Sequence, residues 1–387
     1  MTPAHRARPE DPVPGRRALF AGLAAGLLVA LGGVPRILLA AGALPEVLRP
    51  FIWSDALFVY LRGLSGGRLP YVDTPFEYPP LIGLVSGVLS LVSSGPVPFV
   101  AAWVAIVAVA AGCAGTLLAR ASGGGRVWWW VLAPQLVLLG TVNFDLVPTA
   151  LLVAAIVLAR SRRDALAMLA LAVGAVAKLF PAASAPILLL RASDRLRAAV
   201  IFTVVAALFY LPTALQPHPS AAGIGFYAVG IRSNLDSIWG LAERLLDVVG
   251  VSNAGLVVLA ITLAGLALTY VGRVLPAALR ASDPAIGIGM ATVALLLWSR
   301  LFSPQYSLWV LPLFVLLGLR RRTYALLAAA DVGVFITIYP LTLVPRDATD
   351  AVGAALLGAL GACVVLRHVA LLAMWRELGS RAREQTA

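Results

Sequence analysis

The stretch VPFVAAWVAIVAVAAGCAGTLLA, residues 97–119, contains no charged side chain and is long enough to cross a membrane as one helix. A bilayer core of about 30 Å requires about 20 apolar residues in a helical segment. Outward from this stretch, the chain contains about twelve such segments: 18–41, 77–94, 97–119, 127–141, 145–160, 165–190, 198–214, 252–272, 284–299, 305–319, 323–343 and 351–374. The sequence therefore predicts an all-α, polytopic transmembrane helical bundle.

The composition excludes a soluble protein. Of the 387 residues, 60% are hydrophobic and 12% are charged, which is about half the charged fraction of an ordinary globular chain. Too few charged residues remain to cover a water-exposed surface. The net charge of +12 does not indicate nucleic-acid binding, because the arginines lie between apolar segments and form no basic face. Lys178 is the single lysine of the chain.

The positions of the arginines predict the orientation in the membrane. Clusters at 16–17, 273–280, 320–322 and 376–383 all fall on the cytoplasmic side if the amino terminus lies inside. We therefore predict a multi-pass plasma-membrane protein with both termini cytoplasmic. Its predicted parts are a tail at 1–17, one membrane domain at 18–374 with outer connections near 42–76 and 215–251, and a second tail at 375–387.

One region does not fit twelve full crossings. They would place Arg160, Arg162 and Arg163 outside, against the preference for basic residues on the inner side. Either this preference is violated there or one segment between 77 and 190 is re-entrant. Lys178-Leu179-Phe180-Pro181 is a candidate break, because proline interrupts a helix.

Two acids near the first outer connection are candidates for a catalytic base. Asp55 follows the first membrane helix on a segment anchored by Phe51 and Trp53, where a carboxylate can be held at the membrane surface and partly desolvated. The alternative for Asp55 is a solvated loop aspartate. Glu77 is the second candidate, and its alternative role is that of an acid at a helix start, favoured by the helix dipole.

Four short motifs, in this order, resemble those of glycosyltransferase family 87. They are the acid and aromatic residues around Asp55 with Gly67-Arg68-Leu69-Pro70-Tyr71 and Tyr78-Pro79-Pro80, then Gly140-Thr141-Val142-Asn143, Lys178-Leu179-Phe180-Pro181, and Ser303-Pro304-Gln305-Tyr306. Thr141 stands where glutamine is common in the family. The resemblance extends over roughly residues 50–320.

This resemblance implies the C-type glycosyltransferase fold and a polyprenyl-phosphate-dependent activity. The expected reaction is transfer of a sugar, mannose above all, with inversion, to a lipid-linked or cell-envelope glycan on the extracytoplasmic side. Many members are actinobacterial, and lipoglycan synthesis is the expected setting. The resemblance implies that Asp55 is the general base, because the superfamily carries its base in the first outer loop. It gives substrate-orienting roles to Tyr60, Tyr78, Asn143, Asp145, Asp236, Gln305 and Tyr306.

A departing phosphate requires nearby positive charge. The candidates are Lys178, Arg232, Arg300 and Arg346. Each has a structural alternative: Lys178 can extend to the membrane interface, Arg300 can anchor a helix end there, and Arg232 can pair with Asp236 one helical turn away. Arg346 can pair with neighbouring aspartates.

Other activities are alternatives or are excluded. Asp331 lies inside an apolar helix, so a secondary transporter or lipid flippase could use Asp331, Asp145 and Lys178 as coupling charges, whereas a buried hydrogen bond is the structural alternative for Asp331. A non-catalytic assembly partner is a third possibility. No Walker A, Rossmann or Gly-x-Ser-x-Gly motif is present. We expect no cofactor and no metal site, with a loosely bound divalent cation left open.

Overall fold

The computed structural model describes residues 15–123, 125–225, 230–343 and 350–385. These residues contain α-helices, short 3-10 and π-helical turns and one isolated bridge, and no β-strand. The predicted all-α polytopic fold is therefore confirmed. Residues 1–14 of the predicted first tail, and Arg346, lie outside the described residues.

The α-helices are numbered in chain order. They are α1 Gly15–Ala40, α2 Asp55–Val59, α3 Pro80–Val92, α4 Pro96–Ser122, α5 Trp128–Val131, α6 Pro134–Leu139, α7 Leu146–Arg160, α8 Asp164–Ala177, α9 Ala185–Arg191, α10 Arg195–Ala214, α11 Ser220–Gly225, α12 Ile238–Val248, α13 Ala254–Thr269, α14 Leu275–Arg280, α15 Pro284–Leu297, α16 Leu311–Leu317, α17 Arg321–Leu343 and α18 Ala351–Glu384. The 3-10 turns are Glu46–Phe51, Phe180–Ser184 and Pro304–Trp309, and the π turns are Tyr60–Leu64 and Tyr270–Val274.

Six helical stretches are long and apolar enough to cross a membrane: α1, α4, α10, α13 with α14, α17 and α18. Six apolar helices of 10–17 residues accompany them. Since about 20 residues are needed for a full crossing, these shorter helices depend on neighbours to satisfy their ends. Only Ala198 is buried in α10, as expected for a helix that faces lipid.

Hydropathy misplaced some boundaries. The segment predicted at 127–141 is two short helices, α5 and α6, separated before Pro134. The segment predicted at 165–190 breaks after Ala177, at the predicted Lys178–Pro181 interruption. α18 continues through most of the residues assigned to the second tail. Both outer connections contain short helices, because their polar stretches alternate with apolar side chains.

Small residues allow α1 and α4 to pack closely. A Cβ atom on Gly22 would lie 2.6 Å from the carbonyl oxygen of Gly112, and one on Gly26 would lie 3.0 Å from that of Ala108. Close backbone approach of this kind increases van der Waals contact where lipid removes the hydrophobic drive for helix association. The pair forms a rigid support for the first outer connection.

A second, smaller apolar cluster fixes that connection in place. Its buried members include Ala56, Val59 and Tyr60 from the outer connection, and Phe99 and Trp103 from α4. The aromatic rings of Tyr60 and Phe99 lie 5.0 Å apart. This packing holds α2, and therefore Asp55, against the membrane helices.

Candidate active site

Asp55 is fixed by the turn that precedes α7. It is the first residue of α2, and the hydroxyl of Ser54 caps this helix by accepting a hydrogen bond from the Leu57 N–H at 3.2 Å. The N–H of Asp55 donates to the carbonyl oxygen of Val142 at 2.8 Å. Val142 belongs to the Gly140–Asn143 motif, so two motifs that are distant in sequence meet at Asp55.

Both oxygens of the Asp55 carboxylate accept a hydrogen bond. The indole N–H of Trp53 donates to Oδ1, and the hydroxyl of Tyr78 donates to Oδ2 at 2.8 Å. Burial raises the pKa of Asp55 above its usual range, and the hydrogen bonds from Trp53 and Tyr78 oppose this rise. The side chain is partly exposed, so an oriented carboxylate of increased basicity remains accessible to a substrate.

Tyr71 holds Tyr78 in place. The Tyr71 hydroxyl donates to the carbonyl oxygen of Tyr78 at 2.6 Å, and the Tyr71 carbonyl accepts from the N–H of His218 at 2.8 Å. Tyr71 has a φ of 68°, a left-handed conformation that is unfavourable for tyrosine. Its ring packs against Gly83, where any larger side chain would collide with it. The Gly-x-x-Pro-Tyr motif therefore positions the tyrosine that orients Asp55.

Lys178 forms an ion pair with Asp145. Its Nζ lies 2.8 Å from both carboxylate oxygens of Asp145, and the indole N–H of Trp309 donates to the same carboxylate at 2.7 Å. Lys178 reaches this position because α8 ends at Ala177 and the backbone at Lys178 is extended. The side chain of Asp145 is 1% exposed, whereas that of Lys178 is 15% exposed, so the lysine is the member of the pair that a ligand can reach.

Aromatic rings surround the Lys178 ammonium. Its Nζ lies 4.5 Å from the ring centroid of Tyr306, and Tyr306 stacks on Trp309 with a centroid separation of 4.1 Å. Trp309 also stacks on Phe180 at 3.9 Å. These stacked rings join the third and fourth sequence motifs, and cation–π contact favours the charged form of the lysine.

The residues around Asp55 and those around Lys178 form one site. Asn143 Nδ2 lies 3.5 Å from the Tyr78 hydroxyl, and Asp145 follows Asn143 in the same turn. The positive charge of Lys178 also lowers the pKa of Asp55. We refer to Asp55, Tyr78, Asn143, Asp145, Lys178 and Tyr306 as the Asp55–Lys178 cluster. It combines a base on one side with an accessible cation on the other.

Glu77 lies beside this cluster but is engaged elsewhere. Its carboxylate forms an ion pair with Arg62, and α3 begins only at Pro80. The interpretation of Glu77 as an acid in the first turn of a helix is therefore wrong. Its role as an alternative base stays a prediction.

Arg232 and Asp236 do not pair with each other. Arg232 is exposed and forms ion pairs with Glu243, at 3.0 Å, and with Asp247, both on α12. Within the described residues, no hydrogen bond or ion pair links Arg232 to the Asp55–Lys178 cluster. Asp236 is buried and contacts Arg367. The predicted pairing of Arg232 with Asp236 is therefore wrong.

The remaining predicted residues have structural contacts. Arg300 is buried and donates to the carbonyl oxygen of Ile231 at 2.7 Å, so it connects the second outer connection to the end of α15. Gln305 is buried in the 3-10 turn that carries Tyr306. Tyr60 packs against Phe99 in the smaller apolar cluster. Their proposed roles at the substrate stay predictions.

Arg36 is a positioning residue that none of the sequence motifs identified. This arginine is 2% exposed within α1 and donates to the carbonyl oxygens of Gly32, at 2.8 Å, of Leu138, at 2.7 Å, and of Trp53, at 3.1 Å. Because Trp53 in turn donates to Asp55, Arg36 positions Asp55 through one intermediate residue. The only indication in the sequence was that Arg36 is a charged residue inside an apolar segment, where charges usually have a function.

Asp331 belongs to a buried polar network. Its carboxylate accepts hydrogen bonds from Gln135 at 3.0 Å and from Ser307 at 2.7 Å. The guanidinium of Arg367 lies 3.9 Å from Asp331 and 3.7 Å from Asp236. The hydrogen-bonded interpretation of Asp331 is thus the one that the structure supports. Through Ser307 and Asp236, Arg367 connects α18 to the fourth motif and to the second outer connection.

We expect the substitution Arg367→Met to lower the free energy of unfolding by about 3–5 kcal/mol, because it leaves buried carboxylates without their cation. Burial already raises the pKa of Asp236 to about 6, against the opposing effect of Arg367. Thermal and denaturant unfolding of the purified protein in a neutral detergent would measure the loss.

Two further variants make this test specific. Arg322→Met removes an exposed arginine from the neighbouring helix α17 and should change stability by less than about 0.5 kcal/mol. The double variant Arg367→Met/Asp331→Asn should recover part of the loss. Equal stability of Arg367→Met and Arg322→Met would contradict a role for Arg367 in holding the network.

No group of three or more histidine, cysteine or acidic side chains is arranged to hold a metal ion within residues 15–123, 125–225, 230–343 and 350–385. The chemistry of the Asp55–Lys178 cluster is that of a base and a cation. It can remove a proton from a hydroxyl group and neutralise a phosphate.

The chain is similar to a known protein family over much of its length. The sequence profile described as Glycosyltransferase family 87 matches residues 76–304, more than half of the chain. The matched range includes four members of the Asp55–Lys178 cluster, Tyr78, Asn143, Asp145 and Lys178. It begins after Asp55 and ends before Gln305 and Tyr306. No curated protein matches the chain.

Proposed function

The chain belongs to glycosyltransferase family 87, and from this we propose that it moves a sugar from a polyprenyl-phosphate donor to a hydroxyl group of a lipid-linked or cell-envelope glycan. Mannose is the sugar that we propose, with inversion at the anomeric carbon and an extracytoplasmic site. One observation carries the proposal. The oriented carboxylate of Asp55 lies in one cluster with the accessible ammonium of Lys178 at an end of the membrane bundle.

The proposed reaction is a single displacement. The acceptor hydroxyl oxygen attacks the anomeric carbon while Asp55 removes its proton, and the bond between that carbon and the phosphate oxygen breaks with both electrons left on the phosphate. A single carboxylate on the acceptor side is sufficient, because phosphate departs as a stable anion. Tyr78 and Trp53 keep the carboxylate oriented during this transfer.

Lys178 would neutralise the departing phosphate. An ammonium group has three N–H donors, so Lys178 can contact a phosphate while it remains paired with Asp145. Asp145 keeps the lysine charged and fixes its direction, and the 15% exposure of the lysine side chain leaves it open to the ligand. Preorganised positive charge at a developing anion is a large contribution to catalysis.

The surroundings of Lys178 suit a donor that stays in the bilayer. Leu179, the next residue, is 46% exposed. Such apolar surface favours an isoprenoid chain close to the phosphate-binding lysine. A soluble nucleotide sugar would have no comparable use for it.

The positions of the basic clusters support an extracytoplasmic site. Arg320 and Arg321 lie at the start of α17, and Arg381 lies near the end of α18. Asp236 of the second outer connection contacts Arg367, which lies about 21 Å before Arg381 along α18. If these basic ends face the cytoplasm, the Asp55–Lys178 cluster faces outside.

The alternative of a secondary transporter has less support. A coupling charge has to gain and lose its partner during transport. Asp331 has hydrogen bonds from Gln135 and Ser307, and Asp145 has the ion pair with Lys178. These contacts connect neighbouring helices and explain the intramembrane acids without transport.

Sugar transfer tests the proposal directly. The purified chain, reconstituted into liposomes, is given radiolabelled polyprenyl-phosphate mannose together with lipid extract from its host as acceptor. We expect a labelled product whose anomeric configuration is opposite to that of the donor, and no labelled product from GDP-mannose. Empty liposomes are the control. Transfer from GDP-mannose alone would contradict the proposed donor class, and retention of configuration would contradict the single displacement.

A further inference from the structure

A cavity of about 460 Å³ lies at the membrane face opposite the Asp55–Lys178 cluster. Its walls come from the π turn Tyr270–Val274, α14, α15 and the last turns of α18. The lining residues are Arg273, Ala277, Arg280, Met290, Trp375, Arg376, Gly379, Ser380, Ala382 and Arg383. Four of these ten residues are arginines, and none is acidic. We refer to this space as the arginine cavity.

Three of the four arginines of the arginine cavity lack an acidic partner among the described residues. Within the described part of the chain, Arg273, Arg280 and Arg376 have no ion pair with a carboxylate. Guanidinium groups that converge on one space repel each other unless an anion lies between them. The arrangement therefore favours an anionic ligand.

Two neighbouring cavities contain acidic residues that pair with lining arginines. One is lined by Arg160 and Asp283, whose side chains form an ion pair at 2.6 Å. Another is lined by Arg381 and Glu377, which lie 3.4 Å apart. Each of these two cavities thus contains an arginine paired with an acid, whereas the lining of the arginine cavity contains no acid.

We propose that the arginine cavity binds the phosphate headgroup of an anionic phospholipid. Guanidinium groups donate paired hydrogen bonds that match phosphate oxygens. A volume of about 460 Å³ falls within the usual range for small-ligand sites. Trp375 provides an amphipathic ring of the kind that is enriched at the headgroup level of membranes.

A lipid fits this site better than a free phosphate ion because its edges are apolar. Leu372, one turn before Arg376, is 41% exposed, and Leu268 and Val271, just before Arg273, are 75% and 66% exposed. Acyl chains can cover these side chains while the headgroup lies among the arginines. The bound lipid would hold α14 against α18, the helix that also carries Arg367.

Lipid titration of the full chain tests this inference, independently of sugar transfer. The protein in a neutral detergent is titrated with phosphatidylglycerol, with phosphatidylcholine and with inorganic phosphate, and binding is followed by native mass spectrometry and by the thermal unfolding midpoint. We expect saturable binding of phosphatidylglycerol that raises the midpoint. Phosphatidylcholine should bind much more weakly, and inorganic phosphate should have no effect at millimolar concentration.

Matched arginine variants locate the site. The triple variant Arg273→Gln/Arg280→Gln/Arg376→Gln should weaken phosphatidylglycerol binding about a hundredfold, because each basic residue near a lipid surface contributes roughly a factor of five. The control Arg195→Gln/Arg197→Gln/Arg322→Gln removes the same charge from exposed positions outside the cavity and should leave binding within about twofold. If the triple variant does not fold, the single variant Arg376→Gln gives a smaller loss in the same direction.

Several outcomes would overturn the inference. Equal loss in both triple variants would mean that binding is a general effect of surface charge. Equal binding of phosphatidylcholine would remove the role of headgroup charge. Saturable binding of inorganic phosphate without any response to phosphatidylglycerol would identify a soluble anion as the ligand in place of a lipid.

Discussion

The substitution Asp55→Asn is expected to reduce sugar transfer about a thousandfold, since proton transfer by a positioned base contributes about 10²–10⁴-fold to a rate. The amide is nearly the same size as the carboxylate and can still contact Trp53 and Tyr78. It cannot accept the proton of the acceptor hydroxyl. Radiolabel transfer in membranes with equal amounts of wild-type and variant protein measures the effect.

Glu77→Gln is the matched control for this prediction. It makes the same chemical change in the same outer region, at an acid that pairs with Arg62, and transfer should fall far less than in Asp55→Asn, because a carboxylate stabilised by an arginine is a weak proton acceptor. If Glu77→Gln abolished transfer and Asp55→Asn did not, Glu77 would be the base. Loss of protein from the membrane in either variant would be detected by immunoblot before rates are compared.

The pH dependence of transfer distinguishes a catalytic role of Asp55 from a purely structural one. Burial raises the pKa of Asp55, so wild-type transfer should fall as the pH decreases through this raised value, because the protonated acid cannot act as a base. Tyr78→Phe removes a hydrogen bond that lowers the pKa of Asp55. Its acidic limb should therefore move to higher pH. If the acidic limb of the pH profile did not move in Tyr78→Phe, Tyr78 would have no influence on the pKa of the base.

Apolar length predicted the long helices well, because a stretch such as α4 has only one stable conformation in lipid. The same criterion failed at 127–141, where the apolar run is divided before Pro134 into α5 and α6. The apolar run at 351–374 is shorter than α18, which continues to Glu384. Hydropathy detects burial in lipid, but it does not detect where a helix ends.

The sequence could indicate those candidate site residues that lie in a local motif. It could not indicate which residues they contact in the folded protein. Asp55 and Lys178 were each found from a local pattern. The contact of Asp55 with Val142, and the pairing of Glu77 with Arg62, depend on how distant segments pack. Arg367 was missed because arginines near helix ends indicate orientation in the membrane, whereas this one is buried between two aspartates.

Lys178→Met is the second substitution with a large expected effect, and we expect transfer to fall by about 10²–10³-fold, since removal of one preorganised electrostatic contact at a developing anion has a cost of this size. The variant also leaves Asp145 buried without its cation, which should lower stability by about 3–5 kcal/mol. Loss of transfer by this variant alone would not distinguish phosphate binding from misfolding.

The double variant Lys178→Met/Asp145→Asn separates the two effects. Replacing Asp145 with its neutral amide removes the unpaired buried charge, and Trp309 can still donate to the amide oxygen. Stability should therefore recover while transfer stays low, because no cation remains to meet the phosphate. Lys178→Arg, which keeps the charge in a bulkier group, should retain more transfer than Lys178→Met. If the double variant regained wild-type transfer together with its stability, Lys178 would serve only to neutralise Asp145, and the donor phosphate would have to be bound elsewhere.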